Sequence, residues 1–163
     1  MIDEIDKRLL EVLQADAKAS NVELAAAVGL TGSSVFERVR KLEQRGIITG
    51  YGARVDPAKV GKELLAFVRL NLTETKMNSR EALEQLTAFC LTESDILECH
   101  DVAGEDCVVL KIRCRGTGDL QRHLGALKDA IPGARSVTSI VLETLKEGSA
   151  VRPASADALR NGV

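Results

Sequence analysis

The feature that most limits the fold of this chain is a pair of short helices whose ends are specified residue by residue between Ser20 and Gly46. Ser20 and Glu23 have the spacing of a capping box, in which each side chain satisfies a free backbone amide of the first turn. Val22, Ala25, Ala26 and Val28 predict a buried helix face of little bulk, which permits close packing. Gly29 then stands where a left-handed residue closes a helix, a conformation cheap only for glycine. Leu30 fills the corner and Thr31 caps the next helix. That helix is expected to run to about Arg45, with Val35, Val39 and Leu42 buried, and Gly46 ends it. A preceding helix is read from Ile2, Ile5, Leu9, Val12 and Leu13, which recur at the spacing of one apolar face. The stripe is lost over Ala15–Ala19.

Two helices joined by a glycine-containing turn of about three to four residues form a helix-turn-helix, although a plain helical hairpin has the same outline. The outer face of the third helix separates the two readings. Ser33, Ser34, Glu37, Arg38 and Lys41 fall opposite or beside the buried stripe. Small hydroxyls allow close approach to a groove, and long basic side chains reach phosphates or guanine edges. Arg38 is the first choice for such a contact; its alternative is an ion pair along the helix or to the first helix. Arg40 and Arg54 suit backbone phosphates. The charge distribution agrees. Residues 31–62 hold seven basic and three acidic side chains, whereas residues 3–30 hold three basic and six acidic, in a chain of net charge −2.

The second half has a different rhythm. Ile47–Val55 is rich in β-formers and glycine and predicts a strand leaving the first domain, followed by a turn at Asp56-Pro57 and a connector to Lys62. Strands are then expected at Leu65–Leu72, Ile96–Ala103, Asp106–Arg115 and Ser136–Leu145. Helices are expected at Ser79–Cys90 (Leu83, Leu86 and Phe89 apolar) and Asp119–Ala130 (Leu120, Leu124 and Leu127 on one face). The order β-α-β-β-α-β is that of the ferredoxin-like fold, which by itself fixes no activity. The fold class is therefore α+β. Residues 1–50 form a helix-turn-helix domain, 51–64 a linker strand and connector, 65–147 a ferredoxin-like domain, and 148–163 a mobile tail without periodicity.

Several classes of function are disfavoured. No apolar run approaches the roughly 20 residues of a membrane span, and the acidic opening Ile2-Asp3-Glu4-Ile5-Asp6 is unlike a secretory leader. The chain is accordingly expected in the cytoplasm. Cys90, Cys99, Cys107 and Cys114 include no CxxC pair and no close Cys/His spacing, so no structural metal is expected and reduced, largely buried thiols are. No cofactor is indicated. His100 is placed on a strand and His123 on a helix surface.

The run Glu23-Leu24-Ala25…Val28-Gly29-Leu30-Thr31…Val35-Phe36-Glu37-Arg38-Val39-Arg40-Lys41-Leu42-Glu43…Gly46-Ile47-Ile48…Gly50-Tyr51 closely resembles the DNA-binding half of the Lrp/AsnC regulators. Glu98-Cys99, Val102-Ala103-Gly104-Glu105, Lys111-Ile112, Pro132-Gly133 and Thr138-Ser139-Ile140-Val141-Leu142 resemble the second half, so the likeness spans about residues 2–147. It implies a winged or extended helix-turn-helix joined to a ferredoxin-like domain that drives assembly into a homodimer, or a tetramer or octamer built from it. It also implies a DNA-binding transcriptional regulator that responds to an amino acid or related metabolite. In this sequence the implied effector turn is Gly104, Glu105, Asp106 and Cys107, with Thr138 on the last strand. Many relatives have an acid where Cys107 stands and an aromatic where Val108 stands. Asp106 or Glu105 would then supply the charge for an ammonium group, and the alternative for Cys107 is a small strand residue with no special role. Sirohaem decarboxylases share the two-domain plan and are the enzymatic alternative, but His100 and His123 are few groups with which to hold a tetrapyrrole and move protons. A metabolite-sensing oligomer without DNA binding is the other.

Overall fold

The computed structural model describes residues 2–104, 106–148, 150–151 and 153. The chain divides into two compact units, Met1–Arg54 with Lys146–Val163, and Val55–Leu145.

The first unit is built on three helices, α1 (Glu4–Ala15), α2 (Asn21–Val28) and α3 (Gly32–Gln44). Each N-terminus is capped by a side chain. Asp3 caps α1 in a capping box with Asp6, Ser20 and Glu23 form the box on α2, and Thr31 accepts from the Ser34 amide on α3. Gly29 closes α2 at φ 68°, in the left-handed region, and turns the chain directly into α3. Leu9, Leu13, Leu24, Ala25 and Val35 meet in the core. The expected stripe of α2 is corrected here. Val22 is 77% exposed and Ala26 is also exposed, while Leu24, Ala25 and Val28 carry the packing. In so short a helix the residues nearest Gly29 set which side is inward, and Val22 and Ala26 share the opposite side.

The expected strand at Ile47–Val55 is not formed; the segment is irregular, and Ala58–Val60 is a single 3-10 turn. β-forming side chains do not make a strand unless another strand takes up the free backbone groups. Instead the Ile47 and Ile48 amides both donate to the Leu42 carbonyl, which folds the chain back onto the end of α3. Most of the tail expected to be mobile lies outside the described residues. Val151, however, is held: the Gln14 carboxamide accepts from its amide at 2.7 Å and donates to its carbonyl at 3.0 Å.

The second unit has strands β1 (Leu64–Asn71), β2 (Ile96–Asp101), β3 (Val108–Cys114) and β4 (Arg135–Ile140), with α4 (Ser79–Thr92) after β1 and α5 (Thr117–Ala130) after β3. The strands form one antiparallel sheet in the order β2-β3-β1-β4. Strand alternation sends Ala66, Val68 and Leu70 of β1 and Val108, Leu110, Ile112 and Cys114 of β3 to the helix side. There they pack with Ala82 and Leu86 of α4 and Leu120, Leu127 and Ile131 of α5. Phe67, Arg69, Val109, Lys111 and Val137 lie on the other side. Gly133 is fixed by space as well as by its φ of 88°, since a Cβ there would lie 2.8 Å from the Glu74 carbonyl oxygen.

Candidate nucleic-acid interface and effector turn

α3 presents a polar face. Ser33, Ser34, Glu37, Arg40 and Lys41 are exposed, and Thr31 lies exposed at its start. The Thr31 hydroxyl is 3.1 Å from that of Ser33 and 2.9 Å from that of Ser34, so three small hydroxyls cluster around the first turn. Arg40 pairs loosely with Glu37 at 3.7 Å. Lys41 has no ion-pair partner among the described residues and lines a shallow groove of about 420 Å³ with Ser34, Glu37 and Arg45. Arg54 is also exposed.

Arg38 is placed differently from its neighbours. Its side chain is 32% exposed, and Nη1 donates to Asp3 Oδ2 at 2.7 Å and to Asp6 Oδ1 at 2.8 Å. These two carboxylates form the capping box of α1, so one guanidinium fastens the end of α1 to the flank of α3. The hydrogen bonds it donates to Asp3 and then Asp6 raise the Arg38 pKa further. The Asp6 backbone amide, followed by Arg38, holds the Asp3 carboxyl below the usual range. The alternative weighed for Arg38, an ion pair to the first helix, is the one observed. The spacing carried the signal, because Arg38 lies three residues after Val35 and four before Leu42, both buried.

Two features of this surface were not among the expected contacts. Phe36 is 52% exposed on α3, an aromatic amid polar groups. Its position just outside the stripe of Val35, Val39 and Leu42 was the available clue. Tyr51 donates to Glu43 Oε1 at 2.8 Å and clasps the following loop against α3; burial, and then Glu43, push its phenol up to about 12.

The second candidate site is the β2–β3 connection. The Val102 amide donates to the Cys107 carbonyl at 2.9 Å, and the Cys107 amide donates to Leu70 at 2.8 Å, so the turn is stitched to β1. Gly104 has φ 155°, and Glu105 lies outside the described residues. Asp106 pairs with Arg69 at 3.3 Å, and Cys107 is half-buried against the core. Asp106 and Cys107 are thus brought together with β1. Thr138 is not brought to them: it pairs with Val68 on the β4 side of β1, whereas Cys107 stands at the start of β3, on the other side of β1.

The histidines divide. His100 is exposed on β2 beside Glu98, 3.2 Å away. His123, expected on a helix surface, is only 4% exposed. Its Nε2 is 3.0 Å from Asp95 and its Nδ1 is 3.1 Å from Glu93, while Lys62 also bonds Asp95. His123 shares a face with Leu120 and Leu127, at three and four residues' spacing, and so is carried inward.

Two family descriptions match this chain: an AsnC-type helix-turn-helix domain over residues 2–43 and an Lrp/AsnC ligand binding domain over residues 65–151. The chain belongs to the Lrp/AsnC family of transcriptional regulators. The leucine-responsive regulatory protein of Salmonella typhimurium is 35% identical to this Lrp/AsnC regulator over 91% of this chain and 89% of that one. A feast or famine regulatory protein from M. tuberculosis, solved with L-methionine, superposes with a TM-score of 0.83 at 33% identity, covering 94% of this chain and all of that one. A transcriptional regulator from Neisseria meningitidis, also in complex with L-methionine, has a TM-score of 0.82 at 27% identity, covering 93% and 96% of the two chains. The α+β architecture expected of an Lrp/AsnC protein is therefore the one present.

Proposed function

We propose that this regulator acts as a homodimer, or a tetramer or octamer of such dimers, in the cytoplasm. It sets two copies of α3 into successive major grooves of double-stranded DNA about one helical turn apart. The observation that carries this reading is the exposed polar side of a doubly anchored α3. Ser33, Ser34 and Glu37 approach base edges, Lys41, Arg40 and Arg54 meet phosphates, and Thr31 fixes the first turn. Phe36 suits contact with a thymine methyl. Arg38, favoured by the sequence for a base contact, is assigned the anchoring of α3 to α1 instead. The sheet side away from the helices, where Phe67 and Val137 are exposed, is the surface offered to a second copy.

Retardation of genomic DNA fragments at two salt concentrations tests the DNA reading. Affinity of the unaltered protein falls steeply with salt, and Lys41→Ala reduces the slope of log affinity against log salt by about one. Binding insensitive to salt would overturn the interface.

The effector is an amino acid bound around Gly104, Glu105, Asp106 and Cys107, with Thr138 contributed from another chain of the assembly. L-methionine is the first candidate, because two relatives were solved with it. Asp106 supplies the carboxylate for the ammonium group and shares it with Arg69. The amino acid acts by binding one assembly state more tightly than another. Oligomer size measured with each of the protein amino acids tests this, and a response abolished by Asp106→Asn is expected. The role is regulation rather than catalysis, as in the named relatives.

A further inference from the structure

Four cysteines occur, and two of them face each other. Cys99 lies opposite Leu110 in the β2–β3 ladder, and Leu110 is fully buried beneath the helices, so Cys99 points to the helix side of the edge strand. Cys90 follows the buried Leu86 by four residues, one turn further along the side of α4 that packs on the sheet. Both line one groove of about 300 Å³, with Thr87, Leu91 and Ile96. The two side chains thus approach the same groove from opposite walls, one from α4 and one from β2. The other two cysteines are set differently: Cys107 packs on the core from the β2–β3 turn, and the fully buried Cys114 donates to the Gly116 carbonyl at 3.5 Å.

We propose that Cys90 and Cys99 form a redox-sensitive dithiol, which a peroxide converts to an intrachain disulfide tying α4 to the edge strand β2.

The two sulfurs have separate tasks. Cys99 is exposed and meets the oxidant; Cys90 is half-buried. Burial, then the neighbouring Cys99, push the Cys90 thiol up to about 12, so at neutral pH it still has a proton to give to the departing hydroxyl when its sulfur attacks. In the first step the Cys99 thiolate attacks hydrogen peroxide. An S–O bond forms, the O–O bond breaks, and the departing hydroxide takes up a proton and leaves as water. Cys99 is then a sulfenic acid. In the second step the Cys90 sulfur attacks the Cys99 sulfur. The S–S bond forms, the S–O bond breaks, and the hydroxyl leaves as a second water with the Cys90 proton. Two thiols lose two electrons, and one peroxide becomes two waters.

The test uses the full chain, reduced and then exposed to a few equivalents of hydrogen peroxide. The expected product is a monomeric chain lighter by about 2 Da, with titratable thiols falling from four to two and a peptide map joining Cys90 to Cys99. Cys99→Ser abolishes the bridge. Cys90→Ser strands the sulfenic acid on Cys99, where dimedone traps it, while the unaltered chain gives little adduct because its bridge closes first. Four thiols surviving peroxide, a bridge to Cys107, Cys114 or a second chain, or equal dimedone labelling with and without Cys90 would each overturn the proposal.

Discussion

Each unit has an ionic cluster, and the two obey opposite rules. In the first, Arg38 joins Asp3 and Asp6 with about a third of its side chain open to water. In the second, Lys62 bonds Asp95 with a similar share of its side chain open, but His123 is enclosed between Glu93 and Asp95 with only 5% exposed, and that enclosed ring is the difference. Exposed pairs contribute little to stability, because water screens them and ordering long side chains costs entropy. Their use is in fixing direction, and Arg38 sets where α3 points. A buried polar group contributes little over an apolar replacement, yet loss of its partner is expensive because the group is left dry and unsatisfied. The third helix is therefore held by a contact whose loss water can largely repair, and the sheet domain by one whose loss leaves an enclosed ring unsatisfied.

Removing Asp95 tests the second half of that contrast and carries the largest effect. Asp95→Ala strips the enclosed His123 of its Nε2 partner, while Lys62 can turn to water, and is expected to cost about 2 kcal/mol in urea unfolding. A cost below about 1 kcal/mol, the range of exposed pairs, would break the comparison. Acid sharpens it. Burial pushes the Asp95 carboxyl up, but hydrogen bonds from Lys62 and His123 outweigh this and hold it below 3.8. Such a group contributes stability that is complete above its unfolded value, near 3.8, and is lost as the pH falls through the folded one. Asp95→Asn should flatten that part of the acid-unfolding curve and leave the neutral region parallel.

The same contrast marks what could be read in advance. The capping residues Ser20, Glu23 and Thr31 and the corner Gly29 act within a few positions of themselves, and the structure uses each as its spacing implies. The order of strands and helices was legible for a similar reason, since alternation is a local pattern. The partners of Arg38 lie 32 and 35 residues away and those of His123 lie outside its helix, so only packing brings them together. Ile47–Val55 failed as a strand because a strand is completed by its neighbour, which one segment cannot specify. For the candidate effector turn, Asp106 and Cys107 were legible as neighbours, but the register puts Thr138 across β1, a separation no spacing rule contains.

A smaller effect is expected at Asp6, which belongs to both the α1 capping box and the Arg38 pair. Asp6→Ala removes the acceptor for the Asp3 amide and one carboxylate of the cluster, and is expected to cost about 1 kcal/mol in thermal unfolding. A cost approaching that of Asp95→Ala would mean that the cluster on α1 is structural in the same sense as the buried one.

The smallest stability effect should be at Arg38, where binding and folding come apart. Arg38→Ala leaves the exposed Asp3 able to hydrate and the buried Asp6 still bonded by the Asp3 amide, so unfolding is expected to shift by no more than about 1 kcal/mol. DNA affinity is nevertheless expected to fall, because α3 loses the strut to α1 that fixes its angle in the groove. Salt dependence distinguishes anchoring from direct contact. A phosphate-binding arginine, when removed, lowers the slope of log affinity against log salt by about one, whereas a lost strut weakens binding at every salt concentration and leaves the slope unchanged. Parallel lines displaced to weaker binding place Arg38 in the frame that aims the helix. Converging lines would mean that its guanidinium leaves the two aspartates on the DNA, and that the ion pair is a resting position.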